Sequence, residues 1–81
     1  QAEELGLAWQ ALRQADAKGV LCHTLRCYFV QNCDLSQTSK QLHIHVNTLR
    51  YRLQKIEDIT SLKINELNSI LQLYIGMQIY R

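Results

Sequence analysis

Six polar side chains within nine residues carry hydrogen-bonding groups at spacings that an α-helix would bring largely to one side. They are Asn47, Thr48, Arg50, Tyr51, Gln54 and Lys55. At about 100° of rotation per residue, Asn47, Tyr51 and Gln54 point away from Leu49. Asparagine and glutamine form paired hydrogen bonds with adenine, and arginine does so with guanine, whereas lysine, threonine and tyrosine suit phosphate oxygens. The chemistry that these residue types support is non-covalent recognition of nucleic acid.

The charge of the surrounding segment favours the same chemistry. The chain has nine Lys and Arg, seven Asp and Glu, and a formal net charge of +2. Residues 35–56 contain no acid but hold four cations, which are Lys40, Arg50, Arg52 and Lys55. Acids return directly afterwards at Glu57 and Asp58. A concentrated basic stretch is typical of a DNA-binding surface, although a basic helix face can also be merely solvated. Arg52 falls near the core edge, where a structural role is expected.

Two short helices joined by a tight turn would position these groups. The first is predicted over Leu35–Leu42, with Asp34 as its N-cap and Gln37 completing a capping box. The turn is residues 43–45, and the second helix runs from Val46 to about Thr60. Its inner side carries apolar residues at helical spacing, namely Leu49, Leu53 and Ile56. Residues 35–60 therefore predict a helix-turn-helix whose second helix enters the major groove while the first lies across the DNA backbone.

Four more residues complete the predicted set of DNA contacts. Ser36 and Lys40 lie on the first helix of the motif, and His45 and Val46 lie at the start of the second. His45 is expected either to cap that helix or to touch a phosphate. His43 is expected to take a positive φ, because histidine tolerates the left-handed region better than most residues.

Three further helices are predicted from apolar residues at helical spacing, so the chain is expected to be one all-α, five-helix domain over residues 1–81. A lead-in helix covers residues 1–16, another runs from Val20 to residues 32–34, and the last runs from Asn65 to Tyr80. Gly19 is expected to cap the C-terminus of the lead-in helix. Glu3 and Glu4 lie near the start of that helix, where its dipole favours acids.

The last helix has apolar residues on two sides. One side carries Leu67, Ile70, Leu71, Tyr74 and Met77, and the other is extended by Leu73, Ile75 and Ile79. One side is expected to close the core. The other, together with Trp9, is a candidate contact with a second subunit or another domain, but core packing is favoured for most of these residues.

Cysteine usage and hydropathy indicate the compartment. Cys22, Cys27 and Cys33 lie in or beside one predicted helix, with Cα separations and directions that do not fit a local disulfide. Reduced thiols, and hence the cytoplasm, are expected. No membrane span is expected, because polar residues interrupt the last helix. Since the chain starts without Met and without a hydrophobic leader, it is interpreted as a fragment of a longer protein.

Other functions find less support in the sequence. His43 and His45 share a tight turn, and the chain lacks the paired spacing typical of zinc sites. No glycine-rich phosphate loop or grouping of nucleophile, base and acid is present. We therefore expect neither an enzyme nor a metal or cofactor protein. The remaining alternative is a helical protein-interaction or oligomerisation module that keeps the helix-turn-helix frame without touching DNA.

Residues 42–62, LHIHVNTLRYRLQKIEDITSL, resemble the C-terminal DNA-binding domain of bacterial sugar-diacid and purine-catabolism regulators. The pattern of that family is close to L-x-I/V-H-R-N-T-L-x-Y-R-L-x-x-I-x-x-L-T-G-L. Its contiguous core matches at His45, at residues 47–49 and at residues 51–53. The similarity covers most of the chain after about Leu12, and the helix-turn-helix core is also similar to that of the Fis protein and the enhancer-binding activators.

The resemblance implies a transcription regulator with an N-terminal effector-sensing region that is absent here. It is closer to the sugar-diacid branch, whose members respond to compounds such as glycerate or glucarate. Useful specificity from such a module requires two copies on paired half-sites, so a homodimer bound to double-stranded operator DNA is expected. The chain departs from the pattern at Val46, where the family has Arg, and at Ser61, where it has Gly. The first change removes one DNA contact, and the second is expected to alter how the helix ends.

Overall fold

The computed structural model describes residues 2–80, with side chains from residue 6 onward. The described chain folds into five helices without any strand: α1 Ala2–Ala15, α2 Val20–Val30, α3 Leu35–Leu42, α4 Val46–Thr60 and α5 Leu67–Ile79. The all-α, five-helix prediction is confirmed. The side chains of Glu3, Glu4 and Leu5 lie outside the described residues, so the predicted dipole interaction of the two acids is not addressed.

One apolar core joins all the helices except α3, whose Leu35 and Leu42 pack against its edge. Its fully buried members are Trp9, Leu12, Leu25, Leu49, Ile56 and Leu73. Trp9 is 0% exposed, so the favoured prediction of core packing is confirmed for this residue and the alternative place on an interaction surface is excluded. The reason is that α1 packs directly against α5, which covers the indole ring.

The end of α5 is fastened to α1 by a backbone carbonyl. The Tyr80 oxygen accepts a hydrogen bond from Trp9 Nε1 at 3.0 Å and another from Arg13 Nη1 at 2.7 Å. Gly6 lies against the Tyr80 ring so closely that a Cβ there would overlap the ring. Arg26 of α2 lies over the Trp9 ring, with its guanidinium carbon 5.2 Å from the ring centre. These contacts fix α5 relative to α1 and α2.

The start of α2 is capped by a residue that precedes it by four positions. Asp16 Oδ1 accepts a hydrogen bond from Leu21 N at 3.1 Å, and Oδ2 accepts one from Cys22 N at 2.8 Å. Gly19 has a φ of 74° and is the N-cap of α2, so its predicted role as the C-cap of the lead-in helix is wrong. The left-handed turn at Gly19 folds the chain back and brings the Asp16 carboxylate to the helix start.

The turn between α2 and α3 uses two consecutive left-handed residues, Asn32 with a φ of 56° and Cys33 with a φ of 61°. Helix α2 ends at Val30, slightly before the predicted end. Asp34 caps α3 as predicted, accepting a hydrogen bond from Gln37 N at 2.8 Å. The backbone N–H of Asp34 donates to Gln31 O at 3.1 Å and not to the Gln37 side chain, so the predicted capping box is wrong in its second bond.

Helix α5 begins at Leu67, two residues later than predicted. Of its eight apolar residues named above, only Leu73 and Met77 are buried, and four are exposed: Leu67, Leu71, Tyr74 and Ile79. The expectation that most of them pack in the core is therefore wrong. No helix within the described residues is long and apolar enough to cross a bilayer.

Candidate nucleic-acid interface

The tight turn between α3 and α4 is built on a left-handed histidine. His43 has a φ of 57° and ends α3, as predicted. Its N–H donates to Lys40 O at 3.2 Å, and Ile44 N donates to Ser39 O at 3.0 Å. These two bonds satisfy carbonyl groups at the end of α3. The chain then passes from α3 to α4 within three residues.

His45 is the N-cap of α4. Its Nδ1 accepts a hydrogen bond from Asn47 N at 3.0 Å, and its carbonyl accepts the first helical bond, from Leu49 N at 3.1 Å. The predicted capping role of His45 is confirmed. His45 is also exposed, so it remains accessible at the end of the helix where the dipole is positive.

Helix α4 divides into a buried side and an exposed side as the sequence predicts. Leu49 and Ile56 are fully buried and Leu53 nearly so. Nine of the ten predicted contact residues are exposed, and Val46 is half-buried. Tyr51 is 64% exposed although it is a large aromatic residue. The exposed nine are Ser36 and Lys40 on α3, the cap His45, and Asn47, Thr48, Arg50, Tyr51, Gln54 and Lys55 on α4.

Local hydrogen bonds already orient part of the exposed face. Arg50 Nη1 donates to Asn47 Oδ1 at 3.5 Å, which is at the long limit for such a bond. Gln54 Nε2 donates to Asp58 Oδ1 at 3.1 Å. The Gln54 amide is therefore drawn toward the acidic C-terminal half of α4. Asn47 and Arg50 lie together at the N-terminal half, which carries no acid.

Arg52 anchors α4 to α2. Its side chain is half-buried, and Nη1 donates to Thr24 Oγ1 at 3.2 Å. Thr24 is fully buried, and its hydroxyl in turn donates to Val20 O at 2.7 Å. The structural role predicted for Arg52 is confirmed, and the partner of its guanidinium is the hydroxyl group of Thr24. The partner was missed because nothing in the local sequence marks Thr24, 28 residues earlier, as a neighbour.

The C-terminal end of α4 is closed by Ser61, which takes the left-handed conformation with a φ of 60°. Ser61 N donates to Glu57 O at 2.8 Å. Serine adopts here the left-handed conformation that glycine adopts readily, and a difference from the helix ending of relatives with glycine stays a prediction. The Glu57 carboxylate accepts a hydrogen bond from Ile64 N at 2.7 Å and holds the loop that leads to α5.

Shifted pKa values fall on α2 and its flanking turns, away from the exposed face of α4. Burial raises the pKa of Cys27 and, against a weaker opposing hydrogen bond from Tyr28, that of Cys33. Burial also raises the pKa of Cys22, to about 11, and the Asp16 carboxylate adds to the effect. The three thiols are free. In the described part of the chain, no three His, Cys, Asp or Glu residues are grouped so as to hold a metal ion.

A helix-turn-helix with a polar, cationic and exposed second helix defines the class of DNA-binding domains of transcription regulators. Residues 21–79 match the model of the PucR C-terminal helix-turn-helix domain. The chain belongs to this family.

Relatives of this chain include named regulators. It is 39% identical over 79 residues to the Carbohydrate diacid regulator of Escherichia coli, which covers 98% of this chain and 20% of that protein. It is 33% identical over 61 residues to the Purine catabolism regulatory protein of Bacillus subtilis, covering 75% of this chain and 12% of that protein. An uncharacterised protein of Haemophilus influenzae is 48% identical over 62 residues, 76% of this chain and 17% of that protein. The chain thus spans a fifth or less of these relatives. No solved structure matches it at a comparable level.

Proposed function

We propose that this domain binds double-stranded DNA sequence-specifically, with the N-terminal half of α4 in the major groove. The observation that carries the proposal is the exposed face of that half-helix, where Asn47, Arg50 and Tyr51 are accessible and no acid intervenes. The backbone N–H groups and the dipole at the start of α4 also favour contact with phosphate.

The ten contact residues divide by chemistry. Asn47 and Arg50 are proposed to contact base edges, because their groups match adenine and guanine. Val46 offers an apolar surface that suits a thymine methyl group. Gln54 is assigned a lesser role, because its amide is already bonded to Asp58. The remaining six, whose groups suit phosphate oxygens, are Ser36, Lys40, His45, Thr48, Tyr51 and Lys55.

The regulator as a whole is proposed to control genes of sugar-diacid utilisation and to act in the cytoplasm as a homodimer. The gene assignment is supported by the E. coli Carbohydrate diacid regulator, which aligns with 98% of this chain. The homodimer is supported by the small interface of a single module, which leaves specificity to two half-sites about 34 Å apart. We propose no enzymatic activity for the domain. An effector-sensing region elsewhere in the regulator is proposed from the family resemblance.

The test begins with selection of bound fragments from random DNA, followed by titration of the selected site over a range of salt concentrations. Each phosphate contact is expected to contribute about 0.9 to the slope of log affinity against log salt. Asn47→Ala and Arg50→Ala are each expected to cost about 1–3 kcal/mol and to relax base preference. The matched controls are Asn68→Ala and Lys18→Ala, an exposed amide and an exposed cation outside the motif, which should bind as the wild type does.

Two outcomes would contradict the proposal. Absence of binding to random duplex DNA at low salt would favour the protein-interaction module instead. Unchanged affinity in both the Asn47 and Arg50 variants would show that another side of α4 faces the groove. The gene assignment fails if the domain does not bind the operator of the E. coli diacid regulator better than unrelated DNA.

A further inference from the structure

One apolar surface of the domain lies mostly outside the core and away from the exposed face of α4. On α5, Leu67, Leu71 and Tyr74 are 70%, 44% and 45% exposed, and their i, i+4, i+7 spacing is typical of a helix–helix seam. The Phe29 ring of α2 meets the Tyr74 ring edge-on, with the ring centres 5.8 Å apart. Its neighbour Val30 is 75% exposed. We call these five residues the α5 patch.

The patch lies on the side of α5 that does not pack against α1. At about 100° per residue, Leu67, Leu71 and Tyr74 lie about 100–160° around the helix from buried Leu73. The bond between Trp9 and the Tyr80 carbonyl holds the end of α5 in place. The patch is therefore a fixed surface of the folded domain.

The five side chains of the patch are uncharged, and helix α5, Leu67–Ile79, contains no Asp, Glu, Lys or Arg. Arg26 of α2 is exposed, lies over the Trp9 ring and helps to line the cleft beside Phe29, Val30 and Tyr74. Along α5 itself, a charged partner would find no group that compensates its charges. A second copy presents the same uncharged α5 side chains, because a two-fold contact brings the same surface of both copies together.

The shape of the patch is also complementary to itself. Leu67 projects at one end, and a cleft of about 290 Å³ opens at the other, lined by Phe29, Val30 and Tyr74 among others. Leu67 and Tyr74 are about 10 Å apart along the helix, with Leu71 midway. In an antiparallel pair of α5 helices centred on Leu71, Leu67 of each copy would face the cleft of the other. A projection and a recess placed symmetrically about a centre are what a two-fold contact needs.

We propose that a second copy of this chain docks on the α5 patch, with the two α5 helices antiparallel and the two-fold axis near Leu71. The inference rests on the proposed function only in that the pair would occupy two DNA half-sites. A stable interface buries about 800 Å² per partner. Helix α5 is only about 20 Å long, so we expect a contact made through this helix to be smaller than that and weak in free solution. It becomes effective when DNA holds both copies together.

Sedimentation of the 81-residue chain over increasing concentration, without DNA, tests the contact. Wild type is expected to self-associate, whereas Leu71→Lys and Leu71→Glu should each lose association by about 100-fold, because each places two like charges at the axis. A 1:1 mixture of the two variants is expected to recover association as a heterodimer. Leu7→Lys and Leu7→Glu provide matched controls, since Leu7 is an exposed leucine on α1 outside the patch, and should behave as wild type.

Two results would overturn the inference. One is a wild type that stays monomeric up to about 1 mM. The other is a mixture of the Lys and Glu variants that does not associate, which would assign the patch to a different partner, such as another part of the regulator. Circular dichroism of each variant verifies that substitution at this exposed position leaves the helices intact.

A DNA measurement separates this inference from the proposed function. The Leu71 variants should bind a duplex with one half-site as wild type does, but lose cooperativity on two half-sites. If wild type self-associates and the mixture recovers association while no protein binds DNA, the dimer contact stands and the proposed function fails. If DNA binding is normal and non-cooperative in wild type, the dimer contact fails and the proposed function stands.

Discussion

Removing the carboxylate of Asp16 is expected to destabilise the domain, because this one side chain caps α2 from outside the helix. It accepts hydrogen bonds from Leu21 N at 3.1 Å and Cys22 N at 2.8 Å. A single lost cap costs about 1 kcal/mol, and loss of a negative charge at a helix start costs about 0.3–1 kcal/mol. With two N–H groups left unpaired, Asp16→Ala should lower the free energy of unfolding by about 2 kcal/mol. Asp16→Asn keeps one acceptor oxygen and should cost about half as much.

The pH dependence gives this prediction a second, independent test. Burial by itself would raise the pKa of Asp16, but hydrogen bonds from Cys22, Leu21 and Val20 outweigh it and hold the pKa below its ordinary value of 3.8. A group whose pKa is lower in the folded state stabilises the fold at pH above its unfolded pKa. That contribution is lost as pH falls through the folded pKa. The stability difference between wild type and Asp16→Asn should therefore be constant near neutrality and shrink below about pH 4.

Urea unfolding followed by the fluorescence of Trp9, the only tryptophan, measures both effects. The matched control is Asp34→Ala, which removes the cap of α3 and its one bond to Gln37 N, and should cost about 1 kcal/mol. The conclusion that the Asp16 carboxylate caps two N–H groups of α2 is wrong under either of two results. One is that Asp16→Ala lowers the free energy of unfolding no more than Asp34→Ala does. The other is that the stability difference between wild type and Asp16→Asn stays the same in acid.

Three further predictions concern α4 and the thiol of α2. Arg52→Met should lower the free energy of unfolding by about 1 kcal/mol. It should also weaken DNA binding without changing the slope of log affinity against log salt. Lys55→Met, by contrast, should lower that slope by about 0.9. Ser61→Gly should raise the free energy of unfolding in urea by about 0.5–1 kcal/mol, because it relieves a left-handed serine; a loss of stability would refute this. Cys22, with a pKa of about 11, should be alkylated at pH 8 far more slowly than a free cysteine. Asp16→Asn should speed that alkylation, as read by mass spectrometry.

The helices of the motif could be predicted to the residue because their signals are local. Asp34 stands directly before α3, His43 tolerates the left-handed turn, and the apolar side of α4 has an unambiguous period. The role of Gly19 could not be assigned in this way. A glycine between two helices serves either the end of one or the start of the next, and the choice depended on where Asp16 directs its carboxylate.

The burial of α5 and α1 could not be predicted for a different reason. Helix α5 is apolar on two sides, and only the position of α1 decides which side is covered. The same packing buries Trp9, for which the sequence favoured the core but left an interaction surface as the alternative. The exposed set on α4 was predictable because its polar and apolar residues separate by helical angle. The Gln54–Asp58 bond, at i, i+4 spacing, could have been predicted as well.

Helix α4 is held at its start by His45, in its middle by Arg52 and at its end by Ser61. In the proposed complex, α4 would therefore meet DNA as a helix that is already formed. Binding that requires no ordering avoids the entropy that coupled folding costs. The proposed function then predicts that the domain tests one stretch of sequence after another by sliding and hopping, and that its residence time at a site depends on how well the proposed base contacts match.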